Sequence, residues 1–189
     1  MHLPTLKTWT RGEYDQMVDL GVLESDEHYE LVDGQIVVRI KPAPQRAYVL
    51  SSILHLLPSI EAGDRHARLR APVALSDTSE PEPDISIVKG HWDDYAREHP
   101  NARQVDLIVE VSDARRVGDL RVKLPLYAAA GIHELWLIDI DARKLEMHRE
   151  PAAAGYRVVT ILAETETASP LFRPASVIRI SDLLPTASA

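Results

Sequence analysis

Three places in this sequence set a charged side chain inside or against an apolar run. Asp84 begins "DISIV", Glu110 interrupts "LIVEVS", and Lys123 follows Asp119 by one helical turn in "DLRVK". An ionised carboxylate taken out of water is costly unless a cation meets it, so acids in such runs ask for a partner. Two acids at comparable heights on neighbouring strands can share a hard divalent cation, which prefers oxygen ligands and often takes only one or two carboxylates from a protein. Lys123 would then supply the charge that a phosphodiester reaction needs beside the metal. Structural uses compete with this reading. Glu110 can be a salt-bridged core acid, and Asp119 with Lys123 can be an exposed i, i+4 ion pair worth about 0.2–0.5 kcal/mol. Glu80 and Glu82, which precede Asp84 at alternate positions in "SEPEPDISIVKG", read as a solvated turn.

The elements that must position these groups follow from periodicity. "TRGEYDQMVDLG" has Thr10 and Glu13 in capping-box spacing, with Tyr14, Met17, Val18 and Leu20 at helical intervals before Gly21, which predicts a short first helix. "HYELVDGQIVVRI" predicts a hairpin about Asp33-Gly34. A second helix spans about 45–62, with Pro58 expected to kink it or close it early. "ARLRAPVAL" and "PDISIV" read as strands, "HWDDYAREHPNARQ" as irregular chain with one helical turn, and "VDLIVEVS" as a central strand. The next segment, "DARRVGDLRVKLPLYAAAGIHELWLIDI", predicts loop, helix and strand, a crossover joining parallel neighbours. Pro125 there implies a kinked helix or a later start. "KLEMHRE" and "GYRVVTIL" pair as a hairpin, and "SVIRISDLL" closes the chain. The expected class is mixed α/β, a central sheet with helices on its faces.

The chain has 189 residues, 45% hydrophobic and 26% charged, as expected of one globular domain over residues 1–189. It has no cysteine, which excludes a thiolate zinc site and a thiol nucleophile. No stretch approaches the roughly 18 apolar residues of a membrane span, so a cytoplasmic location is expected. Net charge is −8, from 21 Lys plus Arg against 29 Asp plus Glu, which argues against general electrostatic coating of nucleic acid. A local site remains open. Basic residues cluster at Arg65, Arg68 and Arg70, read as a solvated face, and at Arg115, Arg116, Arg121 and Lys123. The eight histidines lack helical zinc spacing, Trp136 reads as core, and no glycine-rich phosphate loop is present.

The ordered set "PD", then "EVS" ending an apolar strand, then "D...K...Y...GI.E.W.ID" resembles the Uma-type restriction endonuclease family common in cyanobacteria, within the PD-(D/E)XK nuclease superfamily. The resemblance runs from "YELVDGQIV" through "PEPDISIV" and the whole crossover, fading after about residue 165. It implies a restriction-endonuclease-like mixed sheet flanked by helices, with an N-terminal helix and hairpin. It also implies that Asp84 is the acid of "PD", Glu110 the acid of the second half-motif, Lys123 the lysine moved to the following helix, and Glu30 an acid assisting metal or water. Two positions depart from the pattern. Ser112 stands where the superfamily usually has its lysine, and Arg46 where this family often shows a histidine.

The resemblance therefore implies metal-assisted hydrolysis of DNA. Mg²⁺, with Mn²⁺ as a substitute, would be held by Asp84, Glu110 and the Val111 carbonyl. Lys123 would orient the attacking water, Asp119 would steady Lys123, Arg115 and Arg116 would contact phosphate, and a homodimer would cut both strands. Two alternatives stand beside it: a catalytically inactive nuclease-fold module for nucleic-acid or protein interaction, and a glycosidase using Glu82 with Glu110. A compact cluster containing Lys123 would argue against the second.

Overall fold

The computed structural model describes residues 6–23, 27–39, 41–60, 63–113 and 117–186, with 57–60 and 117–119 described by their backbone alone. Helix α1 (Arg11–Asp19) opens on the expected capping box: Thr10 Oγ1 accepts from the Glu13 amide at 3.3 Å, and Glu13 Oε2 accepts from the Thr10 amide at 2.9 Å. Of its predicted apolar stripe only Tyr14 is buried; Val18 and Leu20 are exposed. Strands β1 (Tyr29–Val32) and β2 (Gln35–Val38) form the hairpin about Asp33 and Gly34, both with positive φ as a tight two-residue turn requires. Gly34 is also sterically required, since a Cβ there would lie 2.1 Å from Thr8 Cγ2. The hairpin stands outside the central sheet as a two-stranded sheet of its own. It is tied to the chain leading into the "PD" strand by the Glu80 amide donating to Leu31 O at 2.8 Å and the Gly34 amide to Thr78 O at 2.7 Å.

Helix α2 (Pro44–Ile60) continues through Pro58, so the expected early closure does not occur. The central sheet has six strands in the order β3 (Arg65–Leu69), β4 (Ile85–Lys89), β5 (Val105–Ser112), β6 (Glu134–Asp139), β7 (Lys144–Ala152) and β8 (Gly155–Ala163). All neighbours are antiparallel except β5 and β6, which run parallel and are joined through helix α3 (Val117–Ala129). The polar segment before β5 forms two short 3₁₀ turns, Trp92–Tyr95 and Ala102–Gln104, where one was expected. Short strands β9 (Thr167–Ala168) and β10 (Ile178–Arg179) pair near the C-terminus. Pro125 lies inside α3, so the helix neither starts later nor ends before it; the proline simply has no amide for the ladder bond to the preceding turn.

Alternation along the strands divides the core into two layers. Val49, Leu50 and Ile53 of α2 pack on Ile85, Ile87, Leu107, Val109, Val111, Trp136 and Ile138. Leu120 and Tyr127 of α3 pack on Val88, Val105, Ile108, Leu135 and Leu137 on the opposite face. Trp136 is core, as expected. The Arg65 to Arg70 cluster is not a solvated face. Arg65 and Arg68 are half-buried on β3, Arg65 Nε pairs with Asp106 Oδ2 at 2.6 Å, and Arg68 donates to the Pro72 carbonyl at 3.0 Å.

Candidate active site

From Leu107 onward the odd positions of β5 (Leu107, Val109, Val111) face α2, so Glu110 shares the α3 face with Ile108. On α3, Leu120, Lys123 and Tyr127 follow one another at i, i+3 and i+7, which turns the lysine inward between two core residues. The two periodicities meet. Lys123 Nζ lies 3.1 Å from Glu110 Oε1, and Tyr127 donates its hydroxyl to the same oxygen at 2.8 Å. The ammonium also reaches Glu30 Oε2 of β1 at 3.0 Å and the Glu82 carbonyl at 3.4 Å. Glu30 Oε2 in turn accepts the Glu82 amide at 2.8 Å, locking the hairpin to the "PD" segment. Glu30, Asp84, Glu110 and Lys123 are all buried.

Asp84 precedes β4, whose Ile85 pairs with Val109 of β5. Continuing that antiparallel register by one residue sets Asp84 opposite Glu110, and directly opposed residues hold their Cβ atoms about 4.5–5.5 Å apart. Asp84 Oδ2 accepts the Val111 amide at 2.9 Å. Its Oδ1 accepts from Arg46 Nη2 and, at 3.4 Å, from Arg39 Nη2. Arg39 spans two acids, since its Nη1 is 2.8 Å from Glu82 Oε2. Burial alone disfavours the Arg39 cation, but the combined fields of Glu30, Asp84, Glu110 and Glu82 outweigh it and raise its pKa above the ordinary arginine value. The same acids act on Tyr14. Burial first, then Glu82, Glu80, Glu30 and Asp15, push its hydroxyl above the usual tyrosine range, so it stays protonated.

The structure thus brings together all four proposed catalytic side chains, Asp84, Glu110, Lys123 and Glu30, with the Val111 backbone beside them. Arg115 and Arg116 lie outside the described residues, as does the Asp119 side chain. Two acids read as solvated are not. Glu80 is buried, with Arg11 Nε 2.8 Å from its carboxylate, and Glu82 is held by Arg39, because the hairpin and α1 cover the turn on which both lie. The pairing of Glu82 with Arg39 and the lodging of Lys123 against Glu110 make a compact cluster, which argues against a glycosidase pair. Arg46 and Arg39 carry roles the sequence reading did not assign. For Arg46 a signal existed: it precedes Val49, Leu50 and Ile53 at i, i+3, i+4 and i+7, on the inner stripe of α2.

As a divalent-cation site the cluster has the right donor type, hard carboxylate oxygens on adjacent strands. Its charge also suits one, since four carboxylates (Glu30, Glu82, Asp84, Glu110) face three cations (Arg39, Arg46, Lys123). Among the described residues, no group of three or more His, Asp or Glu converges as a ready-made metal cage. Two guanidinium groups, those of Arg39 and Arg46, stand against Asp84 Oδ1.

The fold is similar to that of a putative nuclease belonging to DUF820 from Anabaena variabilis, with a TM-score of 0.71 at 19% sequence identity, over 92% of this chain and 96% of that one. No curated protein matches the sequence. The sequence pattern of the Uma2 family, described as "Putative restriction endonuclease", matches residues 11–180. With nearly the whole described fold inside that match, and the buried acid and lysine cluster at its centre, the chain belongs to the Uma2 family.

Proposed function

We propose that this chain is a Mg²⁺-dependent DNA endonuclease of the PD-(D/E)XK type, a single catalytic domain over residues 1–189 acting in the cytoplasm. The observation that carries the reading is the position of Lys123, held 3.1 Å from Glu110 and 3.0 Å from Glu30 beside the strand end where Asp84 faces Glu110. Asp84, Glu110 and the backbone carbonyl of Val111 would hold the ion, with Mn²⁺ able to replace it. A bound Mg²⁺ supplies Lewis-acid polarisation of a phosphoryl oxygen and lowers the pKa of a coordinated water. The lysine keeps a proton-bearing ammonium at the reacting end of the strands, where it orients water and offsets negative charge growing on the phosphoryl group. Glu30 positions that ammonium, as does the Glu82 carbonyl, and Tyr127 orients the Glu110 carboxylate. Arg115 and Arg116, in the loop between β5 and α3, are the proposed phosphate contacts, and a homodimer would present one site to each strand.

The clamp of Arg39 and Arg46 on Asp84 favours one alternative, a catalytically inactive module that keeps the fold for nucleic-acid or protein interaction. A nicking assay decides between them. Supercoiled, linear and single-stranded DNA are incubated with Mg²⁺ or Mn²⁺ beside Asp84→Asn protein. Metal-dependent cleavage by the wild type alone supports the nuclease; no cleavage of any DNA form supports the inactive module.

A further inference from the structure

Arg46 enters the cluster from the first turn of α2, on the stripe that otherwise buries Val49, Leu50 and Ile53. Its guanidinium is buried and bonds Asp84 through Nη2, while its Nε is buried with no hydrogen-bond partner. The two arginines on Asp84 therefore differ. Arg39 is forked between Glu82 and Asp84, using a different nitrogen for each. Arg46 holds Asp84 end-on through one nitrogen and leaves another donor unspent, short of the bidentate geometry that makes arginine–carboxylate pairs strong. Asp84 Oδ2 is already engaged by the Val111 amide, so Oδ1 is the oxygen whose partners are exchangeable cations.

Resting on the metal reading above, we propose that Arg46 is a built-in competitor of the metal ion. It neutralises Asp84 and holds it in place before a divalent cation binds, and it must release Oδ1 for that cation to bind. Oδ1 already meets two guanidinium nitrogens, Arg46 Nη2 and the more distant Arg39 Nη2, so a divalent cation arriving there would bring a third positive charge to one buried oxygen, and the nearer guanidinium is the one that must give way. Arg46 is thus a positioning residue that sets the metal affinity of the site, and the released guanidinium, with its spare Nε, is left with donors suited to an anion.

The test titrates Mn²⁺ into the full chain without DNA, by calorimetry and by Mn²⁺ electron paramagnetic resonance, for the wild type, Arg46→Gln and Asp84→Asn. Arg46→Gln is expected to bind Mn²⁺ about tenfold tighter than the wild type, within the usual range of coupling between competing ligands, and Asp84→Asn to lose binding. Wild-type binding with equal or weaker binding by Arg46→Gln overturns the competition and leaves the metal reading standing. Absence of Mn²⁺ binding in both overturns the metal reading and this inference with it. Should Arg46→Gln fail to fold, the wild type decides alone: phenylglyoxal labelling of Arg46, read by mass spectrometry, rises with Mn²⁺ if the guanidinium is displaced. Unchanged labelling under saturating Mn²⁺ overturns the proposal.

Discussion

Lys123 and Glu110 come from different elements, α3 and β5, yet their charged atoms stand 3.1 Å apart in the buried layer between helix and sheet. Removing one partner of such a pair leaves the other as an uncompensated buried charge. Lys123→Met should therefore lower stability by about 3–5 kcal/mol. Adding Glu110→Gln should recover part of that loss, with a coupling of about 0.5–3 kcal/mol in a double-mutant cycle followed by urea denaturation. Strict additivity would show that the two charges do not interact.

The acids and the lysine should separate by what they control. Asp84→Asn and Glu110→Gln are expected to lose both Mn²⁺ binding and DNA nicking, because they remove ligand charge. Lys123→Ala should lose nicking by about 100-fold or more while retaining Mn²⁺ binding, since it contributes charge to the transition state rather than a ligand. Calorimetric titration beside a plasmid assay measures both. Equal Mn²⁺ affinity in the wild type and both acid variants would sink the metal assignment.

Glu134 is a fully buried acid outside that cluster, and its surroundings mark it as structural. It accepts from Arg149 Nη2 at 2.6 Å, the Trp136 indole at 2.9 Å and the Leu171 amide at 2.7 Å, tying β6 to β7 and to the C-terminal segment. Glu134→Gln should cost about 1.5–3 kcal/mol, the range for hydrogen bonds to a charged group. Its nicking rate at low temperature should match the wild type, and a rate loss equal to that of Glu110→Gln would contradict the distinction.

His148 should impose an acid-side decline in stability. Burial lowers its pKa below the ordinary 6.5, with Glu146, 3.3 Å away, opposing in part. Below pH 6.5 the unfolded chain binds a proton that the folded chain resists. Stability is therefore full above that pH and falls as the pH drops toward the lower folded value. Melting curves from about pH 5 to 8 should show this decline in the wild type and a shallower one in His148→Phe. Parallel profiles would exclude His148 as its source.

Much of the architecture was legible because it rests on local periodicity. The Thr10 capping box, the Asp33-Gly34 turn, the apolar run of β5, the crossover through α3 and the β7–β8 hairpin each declare themselves within about a dozen residues, the range over which hydrophobic spacing is informative. Two features could not be read so locally. Val18 and Leu20 have helical spacing but no facing element among the described residues, and Pro125 lies within α3, which packs on β7 and β8.

Sequence by itself determined which side chains carry charge into apolar surroundings: Asp84 and Glu110 at the ends of buried runs, and Lys123 one turn into the crossover helix. It could not determine their partners. Which acid meets which cation depends on strand register and on how the β1–β2 hairpin is laid over the "PD" segment, and those contacts join residues far apart in the chain, such as Lys123 with Glu30 and Arg39 with Glu82. Glu80 and Glu82 carry the same charge and spacing whether a turn is wet or covered, so only the packing of α1 and the hairpin makes Glu80 a buried and Glu82 a half-buried acid, each with an arginine partner. Arg46 shows the same division. Its place on the inner stripe of α2 is a property of the sequence, whereas its hold on Asp84 exists only because the tertiary fold brings the start of α2 against the start of β4.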